Sequence, residues 1–507
     1  MTSSQLHALR RDGERLTEEV SRETYLAHSG LKQTVDLQSI YARYGKLLSR
    51  DSLALVREVF AAAVANSEER RGARLILDWL ADSNVQRDLA ELEEREVAWE
   101  STATIDVGEG RRIQYQSAAI DIANAPTRAE RLAIDEARAR LVARELAPLR
   151  LERFQRERDL VQALDIAPDY VSTFETLSGI DMAQLSAECQ MFLRETESMW
   201  ADTYAESVKA KLGIALDEAT RADALAMMRA REFDRYFPSG DMEEVVRRQV
   251  GEMGIDANAG GRILYDTGER EGKRSRAFCS PVRIPDEVYL VLRPHGGQTD
   301  YSTFLHELGH ALHFAYARAD LPFEYRWLGD NSITEAYAML MDHLLHDPGW
   351  LLRYTDLGRH DVAAFLRLAG FEELHFLRRY SAKLLYELDL YSGDVPWTSL
   401  PDRYVDLLTN ATSFRYDSAD AFVDVDARFY SARYLRAWQL QAVLHDELVD
   451  RFDADWYRNP RCGPWVVENL FGEGQRELAH ELAERVSSGK LSFAPLVRAT
   501  EAMLVAT

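Results

Sequence analysis

His306, Glu307 and His310 form the pattern His-Glu-x-x-His, whose residue types and spacing suit the chemistry of a metal ion. On a helix, residues four apart lie on the same face, so His306 and His310 can offer two imidazole nitrogens to one ion. Glu307 stands beside the first histidine, where its carboxylate can take a proton from a metal-activated water. The competing interpretation is that His306 and His310 are two core histidines that bind no metal. Eight of the twelve histidines lie between His295 and His375, and this clustering favours the metal site. The pattern therefore predicts a catalytic zinc site, with one ion per chain.

A third ligand decides the class of zinc site. The astacin- and adamalysin-type pattern is excluded, because it needs a glycine and a histidine where this chain has His313 and Tyr316. Glu335, on a second predicted helix downstream, is the candidate ligand for a glutamate-type site. Ser332 gives Glu335 a competing interpretation, because Ser-x-x-Glu is also a capping box that satisfies a helix N-terminus. Asp342 lies about two helical turns further on the same face, where it can steady a ligand imidazole, and this favours the ligand role.

The composition argues against several other functions. The net charge of −23 and the pI near 5.1 disfavour binding to nucleic acids or anionic membranes, since both are polyanions. The three cysteines form no Cys-x-x-Cys pair, so neither a disulfide framework nor a thiolate zinc site is expected. Charged residues interrupt the N-terminal segment, and no apolar run reaches about eighteen residues, so we expect no secretory signal and no membrane span. These features predict a cytoplasmic protein with no nucleic-acid or membrane partner.

The sequence predicts a mainly α fold with a small β-sheet. The first part of the chain is poor in glycine and has apolar residues at helical spacing, and the stretch 128–164 is predicted to be helical with a break or kink at Pro148. Glycine and proline cluster in 239–301, and within this region the run 287–292 is predicted to be a strand. Helical periodicity returns afterwards. The expected units are a helical N-terminal lobe at 1–190 and a catalytic lobe at 191–507.

The predicted strand leads directly into the helix that carries the motif. Asp300 or Ser302 is expected to cap the start of this helix. Two further histidines nearby, His313 and His343, are expected to pack or hydrogen-bond locally rather than to bind the metal.

Several segments, taken together with the motif, resemble the thimet oligopeptidase and oligoendopeptidase family of zinc peptidases. The segment 272–279 is similar to the family's segment ahead of its active-site strand. The strand, the His306–His310 motif and Glu335 then follow in the family's order, and 25 residues separate His310 from Glu335. The resemblance covers about 268–507, with only general helical similarity before it. Two shorter similar segments lie near the end, at 459–463 and 495–497.

The resemblance implies two helical lobes around a deep channel, with zinc on the channel floor. Such a channel admits short, unstructured peptides and excludes folded proteins. The strand at 288–292 is expected to offer a free edge, to which an extended substrate adds its backbone as another strand. The substrate-binding residues expected on and beside this strand are Tyr289, His295, Gly296 and Gly297.

The family also places two tyrosines over the substrate carbonyl, and here the match is partial. Tyr430 aligns with the first tyrosine, although a buried aromatic helix would explain Tyr430 equally well. The second tyrosine would fall at Ala437, and an upstream histidine of the family would fall near Val425. Either Tyr434 or His295 supports the oxyanion instead, or the pocket is suited to a different substrate.

The function expected from these features is a zinc-dependent oligopeptidase that hydrolyses short peptides, with Glu307 as general base. One alternative is a zinc hydrolase of the same fold that acts on a non-peptide amide, which the missing second tyrosine leaves open. The other is a catalytically idle peptide-binding protein. The complete ligand set together with Glu307 argues against the idle protein, because binding alone needs no general base. Substrate preference, the choice between endo- and exo-cleavage, and oligomeric state stay open.

Overall fold

Helices form most of the chain, and strands are confined to small sheets. The computed structural model describes residues 3–108, 110–274, 276–487 and 489–506. Over these residues the fold is mainly α with one two-stranded and one three-stranded sheet, so the predicted fold class is confirmed. None of the helices in these ranges is long and apolar enough to cross a membrane. Ser275, part of the family-like segment 272–279, lies outside the described residues, as do Met1 and Thr2 of the N-terminal segment.

The helices follow one another along the chain with short connections. In the first half they are α1 (Ser3–His28), α2 (Leu37–Arg43), α3 (Arg50–Ala62), α4 (Glu68–Thr102), α5 (Ala118–Asn124), α6 (Arg128–Leu141), α7 (Ala147–Gln162), α8 (Tyr170–Ser178), α9 (Met182–Glu195), α10 (Glu197–Lys211), α11 (Arg221–Met228) and α12 (Met242–Glu252). In the second half they are α13 (Gln298–Tyr316), α14 (Phe323–Trp327), α15 (Asn331–Asp342), α16 (Pro348–Tyr354), α17 (Arg359–Ser392), α18 (Leu400–Thr412), α19 (Tyr430–Phe452), α20 (Cys462–Asn469), α21 (Ala479–Ser487) and α22 (Ala494–Leu504).

The predicted helical stretch 128–164 contains a π-helical turn directly before its proline. Helix α6 ends at Leu141, the π-helical turn covers Val142–Leu146, and α7 begins at Ala147. The residues at both junctions keep right-handed helical φ and ψ, so the chain stays helical through Pro148 and does not break there. The irregularity expected at this proline is a π-helical turn.

The two predicted lobes share one hydrophobic core. The boundary between residues 190 and 191 falls inside α9, and the main core runs from Leu9 in α1 to Met503 in α22. Residues from both sides of the boundary pack into this core, among them Leu77 and Phe154 before it and Trp200 and Trp350 after it. The division into two lobes stays a prediction.

The three-stranded sheet lies directly before the motif helix, and its strand order corrects one expectation. The strands are β3 (Ile263–Asp266), β4 (Phe278–Arg283) and β5 (Glu287–Val291); β1 (Thr104–Asp106) and β2 (Arg112–Gln114) form the other sheet. The predicted strand is β5, and it is the central strand: it pairs parallel with β3 and antiparallel with β4. The expected free edge on β5 is therefore wrong. The outer strands are β3 and β4, because β3, which precedes β4 in the chain, pairs with the side of β5 that β4 leaves free.

Helices α13 and α15 approach each other closely at Gly309. A Cβ atom added at Gly309 would lie 2.6 Å from the Cα of Ala338 and 2.7 Å from the carbonyl oxygen of Tyr337. Both neighbours are backbone atoms of α15, so neither can move aside as a flexible side chain would. Glycine at this position lets the two helix backbones touch, and it brings the motif face of α13 against α15.

We expect Gly309→Ala to lower the free energy of unfolding by about 1–3 kcal/mol, because the added methyl group forces the two backbones apart. Gly251→Ala is the matched control, since Gly251 also lies within a helix but has open space around it. This control should leave the stability unchanged or raise it by up to about 1 kcal/mol. Urea unfolding followed by circular dichroism measures both variants. Equal stability of Gly309→Ala and the wild type would contradict the close approach.

Candidate metal centre

The side chains of His306, His310 and Glu335 converge between α13 and α15. Each offers one ligand atom, and these atoms all lie within 4.8 Å of one another. The Nε2 atoms of His306 and His310 are 3.4 Å and 3.7 Å from Oε2 of Glu335. That carboxylate oxygen is buried and has no hydrogen-bond partner. A buried oxygen that faces two imidazole nitrogens suits a metal ion, so the residues present fit the predicted zinc.

The outer nitrogen of each histidine ring contacts a side chain of α15. Nδ1 of His306 lies 2.8 Å from Oδ2 of Asp342, and Nδ1 of His310 lies 2.8 Å from Oγ1 of Thr334. A carboxylate only accepts, so Nδ1 of His306 carries the proton and its Nε2 lone pair is left for a metal. Asp342 thus takes the supporting place predicted for it. Thr334 was missed, because only the pairing of the two helices shows that it faces His310.

Glu335 does not cap its helix. The residue before α15 is Asp330, whose carboxylate accepts a hydrogen bond from the backbone N–H of Ser332 at 2.9 Å. Glu335 therefore lies a full turn inside the helix, and its Oε1 accepts instead from the hydroxyl of Tyr430 at 2.7 Å. The capping-box interpretation is excluded, and the carboxylate is directed to the two histidines.

The carboxylates of Glu335 and Asp342 make a positively charged partner favourable at this centre. Burial lowers the pKa of His306, but its hydrogen bond with Asp342 and the negative charges of Asp342 and Glu335 outweigh burial and raise that pKa to about 10. Burial raises the pKa of Glu335, yet the two histidines hold it below its usual value. Burial dominates at His310 and lowers its pKa to about 4, so its ring is neutral. A divalent cation at this place would displace the proton of His306 and gain the same carboxylate partners.

Glu307 is held by the edge of the sheet. Its Oε2 accepts a hydrogen bond from the backbone N–H of Cys279 on β4 at 2.8 Å. Burial raises the pKa of Glu307, and the neighbouring His306 opposes this increase. Its Oε1 makes no hydrogen bond to any residue that the structure describes. The Cys279 amide was not predicted, because it is available only through the outer position of β4, which the sequence alone does not show.

The turn before α13 is held by Asp300, and this corrects the expected cap. Helix α13 begins directly after Gly297, which has no side chain to cap it. Asp300 lies in the first turn, and its Oδ2 accepts from the backbone N–H groups of His295 at 2.6 Å and Gly296 at 2.9 Å. Ser302 lies further inside the helix. The N–H of Gly297 donates to an upstream backbone carbonyl, so the amides of all three residues are already hydrogen-bonded within the protein. Substrate binding by this turn stays a prediction.

The side chain of Tyr289 packs against α1, and substrate binding by this residue stays a prediction. Its ring stacks on Tyr25 of α1 with the ring centroids 3.7 Å apart, and its hydroxyl donates to Glu287 at 3.0 Å. It packs with Tyr25 and Val282 in a small cluster between α1 and the sheet. The central position of β5 leaves no free edge at Tyr289 for a substrate strand.

The two predicted tyrosines stand together at the start of α19, with different partners. Tyr430 is bonded to Glu335, as described, and the ring of Tyr434 lies 5.0 Å from that of Tyr430. The hydroxyl of Tyr434 has no hydrogen bond to the part of the chain that the structure describes. Burial and the charge of Glu335 raise the pKa of both phenols, so both stay protonated and can donate.

A cavity of about 320 Å³ opens beside the centre. His306 and Asp342 line it on one side, and hydroxyl and amide groups of the first turns of α13 line another. The remaining wall combines aromatic and aliphatic side chains with the carboxylates of Glu372 and Glu373 and the imidazoles of His343 and His346. The aromatic residues of this wall are Phe365, Phe376, Tyr380, Tyr434 and Trp438.

The sequence matches no profile of a known protein family and no curated protein. Among the described residues, two groups of three side chains could hold a metal ion: the group just described, and a second formed by His343, His346 and Glu373. The first group contains all three predicted ligands. The prediction for His313 also agrees with the structure, since its buried ring packs against aromatic rings, among them that of Tyr337.

We expect Thr334→Val to weaken zinc binding by about 10–100-fold, because Nδ1 of His310 loses its acceptor and the ring is no longer held in one tautomer. Thr176→Val is the matched control: this threonine also lies within a helix, and its hydroxyl bonds only to a backbone carbonyl of its own helix. Competition with a chromophoric chelator gives both affinities. If both variants bind zinc as tightly as the wild type does, Thr334 has no supporting role.

Proposed function

We propose that this chain is a zinc-dependent peptidase that hydrolyses short, unstructured peptides, as the thimet oligopeptidase and oligoendopeptidase family does. The observation that carries the proposal is the convergence of His306, His310 and Glu335 beside a cavity. Structural zinc sites are closed by four protein ligands, whereas catalytic sites have three and keep one position open. Three converging side chains, of which His306 lines the cavity, therefore suit catalysis. The large hydrophobic core indicates that folding needs no metal.

A zinc ion held by these residues would supply Lewis-acid chemistry, polarising the scissile carbonyl and acidifying a water molecule. Glu307 is the general base. Its Oε2 is held by the Cys279 amide, so Oε1 is the atom that takes the proton when the water oxygen attacks the carbonyl carbon. Burial raises the pKa of Glu307, which makes its carboxylate a stronger base toward the proton of the water. Glu307 then passes the proton to the amine nitrogen as the C–N bond breaks.

We assign different roles to Tyr430 and Tyr434, whereas the family places both of its tyrosines over the substrate carbonyl. Tyr430 donates to Glu335, and this bond fixes the orientation of a ligand carboxylate. Tyr434 lines the cavity beside His306 with a protonated hydroxyl that no described residue engages. We assign the hydrogen bond to the developing oxyanion to Tyr434, because a donor already committed to Glu335 is less available to the substrate.

The substrate class follows from the walls of the cavity. The aromatic rings in the wall favour an apolar side chain of the peptide next to the scissile bond. The largely buried side chains of His306, His310 and Glu335 favour a flexible chain over a folded surface. With β5 paired on both sides, an extended peptide that binds by strand addition would use the outer edge of β4. That edge already directs the Cys279 amide toward Glu307, so it lies beside the reacting groups.

We expect Glu307→Gln to bind zinc as the wild type does and to lose about 10²–10⁴-fold in turnover, because it removes the proton acceptor but no ligand. Glu335→Gln should instead weaken zinc binding, since it removes a ligand charge. Zinc content by mass spectrometry and cleavage of a fluorogenic peptide separate the two effects. Loss of zinc in both variants, with residual cleavage in both, would contradict this assignment of roles.

We expect efficient cleavage of short peptides and negligible cleavage of native lysozyme. A folded substrate must first unfold, at a cost of about 5–15 kcal/mol, and a hydrolase without an energy source does not supply that free energy. Reduced and alkylated lysozyme fragments are the matched control, because they keep the sequence and lose the fold. Digestion of native lysozyme at the rate of its fragments would contradict the restriction to unstructured chains while leaving the zinc chemistry standing.

A further inference from the structure

A second cluster of metal-binding side chains lies where α15 ends. His343 and His346 lie on the turn that follows α15, and Glu373 reaches them from α17. One ligand atom from each lies within 4.8 Å of the others. Nε2 of His343 is 3.3 Å from Oε1 of Glu373, and the ring centroids of the two histidines are 4.6 Å apart. The donor set, two imidazoles and one carboxylate, is the same as in the first centre.

Asp342 connects the two clusters. Its Oδ2 contacts Nδ1 of His306 at 2.8 Å, and its Oδ1 contacts Nδ1 of His343 at 2.6 Å. One carboxylate therefore accepts from the outer nitrogen of a histidine in each cluster. This leaves Nε2 of His343 directed to Glu373, just as it leaves Nε2 of His306 directed to Glu335. A carboxylate that orients a histidine in this way is the usual support of a metal ligand.

The second cluster is accessible from two sides. Its three residues line the cavity of about 320 Å³ beside the first centre and also a neighbouring cavity of about 550 Å³. The cluster thus forms part of the wall between the two cavities. An ion can reach it, and three protein ligands leave a coordination position open to solvent or to a small ligand.

An ion pair without metal is the simpler alternative for part of this cluster. A protonated His343 between Asp342 and Glu373 would satisfy both carboxylates. The ion pair does not account for His346, however, whose ring makes no hydrogen bond to the described residues and yet presents a nitrogen to the same point. A metal ion would use all three side chains.

We propose that His343, His346 and Glu373 bind a second divalent cation of the zinc class. Two imidazoles and a carboxylate favour zinc and similar transition metals over magnesium or calcium, which prefer oxygen ligands. The site goes beyond the proposed hydrolysis, which needs only the first ion. Because Asp342 serves both centres, occupancy of either one changes the affinity of the other, and the effect is equal in both directions.

The test is the zinc stoichiometry of the full chain. The protein is stripped with a chelator, dialysed against buffered zinc, and analysed by mass spectrometry for metal and by circular dichroism for fold. The wild type should hold about two zinc ions, and His346→Gln, His346→Ala and Glu373→Gln about one each. Glu372→Gln is the matched control and should keep about two, because Glu372 lines the same cavity but lies outside the cluster. A wild type that holds one ion overturns the inference.

A variant of the first centre separates this inference from the proposed function. His310→Ala should lose hydrolysis and still hold about one ion in the second cluster. A wild type with one ion and full peptide hydrolysis overturns the second site and leaves the proposed function standing. A wild type that binds two ions but hydrolyses no peptide supports the second site and overturns the proposed function. Loss of both ions in His310→Ala with an intact fold would show that the second cluster does not bind zinc by itself, and would also overturn the proposal.

Discussion

The candidate metal centre depends on backbone contact between α13 and α15, and Gly309 makes that contact possible. His306 and His310 lie one turn apart on α13, and Glu335 projects from the facing helix, so a shared ion requires the two helix axes to lie close together. Any side chain at Gly309 would meet backbone atoms of α15 that cannot rotate away. Once the helices touch, α15 supplies more than a ligand. It also provides Thr334 and Asp342, which hold the outer nitrogens of both histidines.

The sheet and the tyrosine helix complete the centre from two other directions. The Cys279 amide of the outer strand β4 donates to Glu307, which fixes one carboxylate oxygen and leaves the other without a hydrogen bond to the described residues. Helix α19 gives Tyr430 to Glu335, so each acidic group at the centre has one oxygen held by the fold and one directed inward. The other carboxylate oxygen of Asp342 contacts Nδ1 of His343, and so links the second cluster to the first. The charges are therefore arranged as one network rather than as separate pairs.

Much of the centre could be predicted because its signals are local. The spacing of His306 and His310 on one helix requires only helical geometry, and Glu335 could be chosen from its distance along the chain and the acidic residue on its own face. Gly309 also left a local signal that was not used, since a glycine within a helix often marks close packing. Strand order, the partner of His310 and the division of roles between the tyrosines depend on contacts between distant segments. Nothing near Thr334 or β5 in the sequence reports those contacts.

A zinc-edge anomalous difference map from crystals of the zinc-loaded chain tests the central claim most directly, because it locates the metal independently of activity. The geometry predicts a peak about 2.0–2.2 Å from Nε2 of His306, Nε2 of His310 and a carboxylate oxygen of Glu335. Thr334 and Asp342 should keep their contacts with the outer nitrogens in the same crystals. A map with zinc bound elsewhere on the chain, and none between these three side chains, would contradict the account.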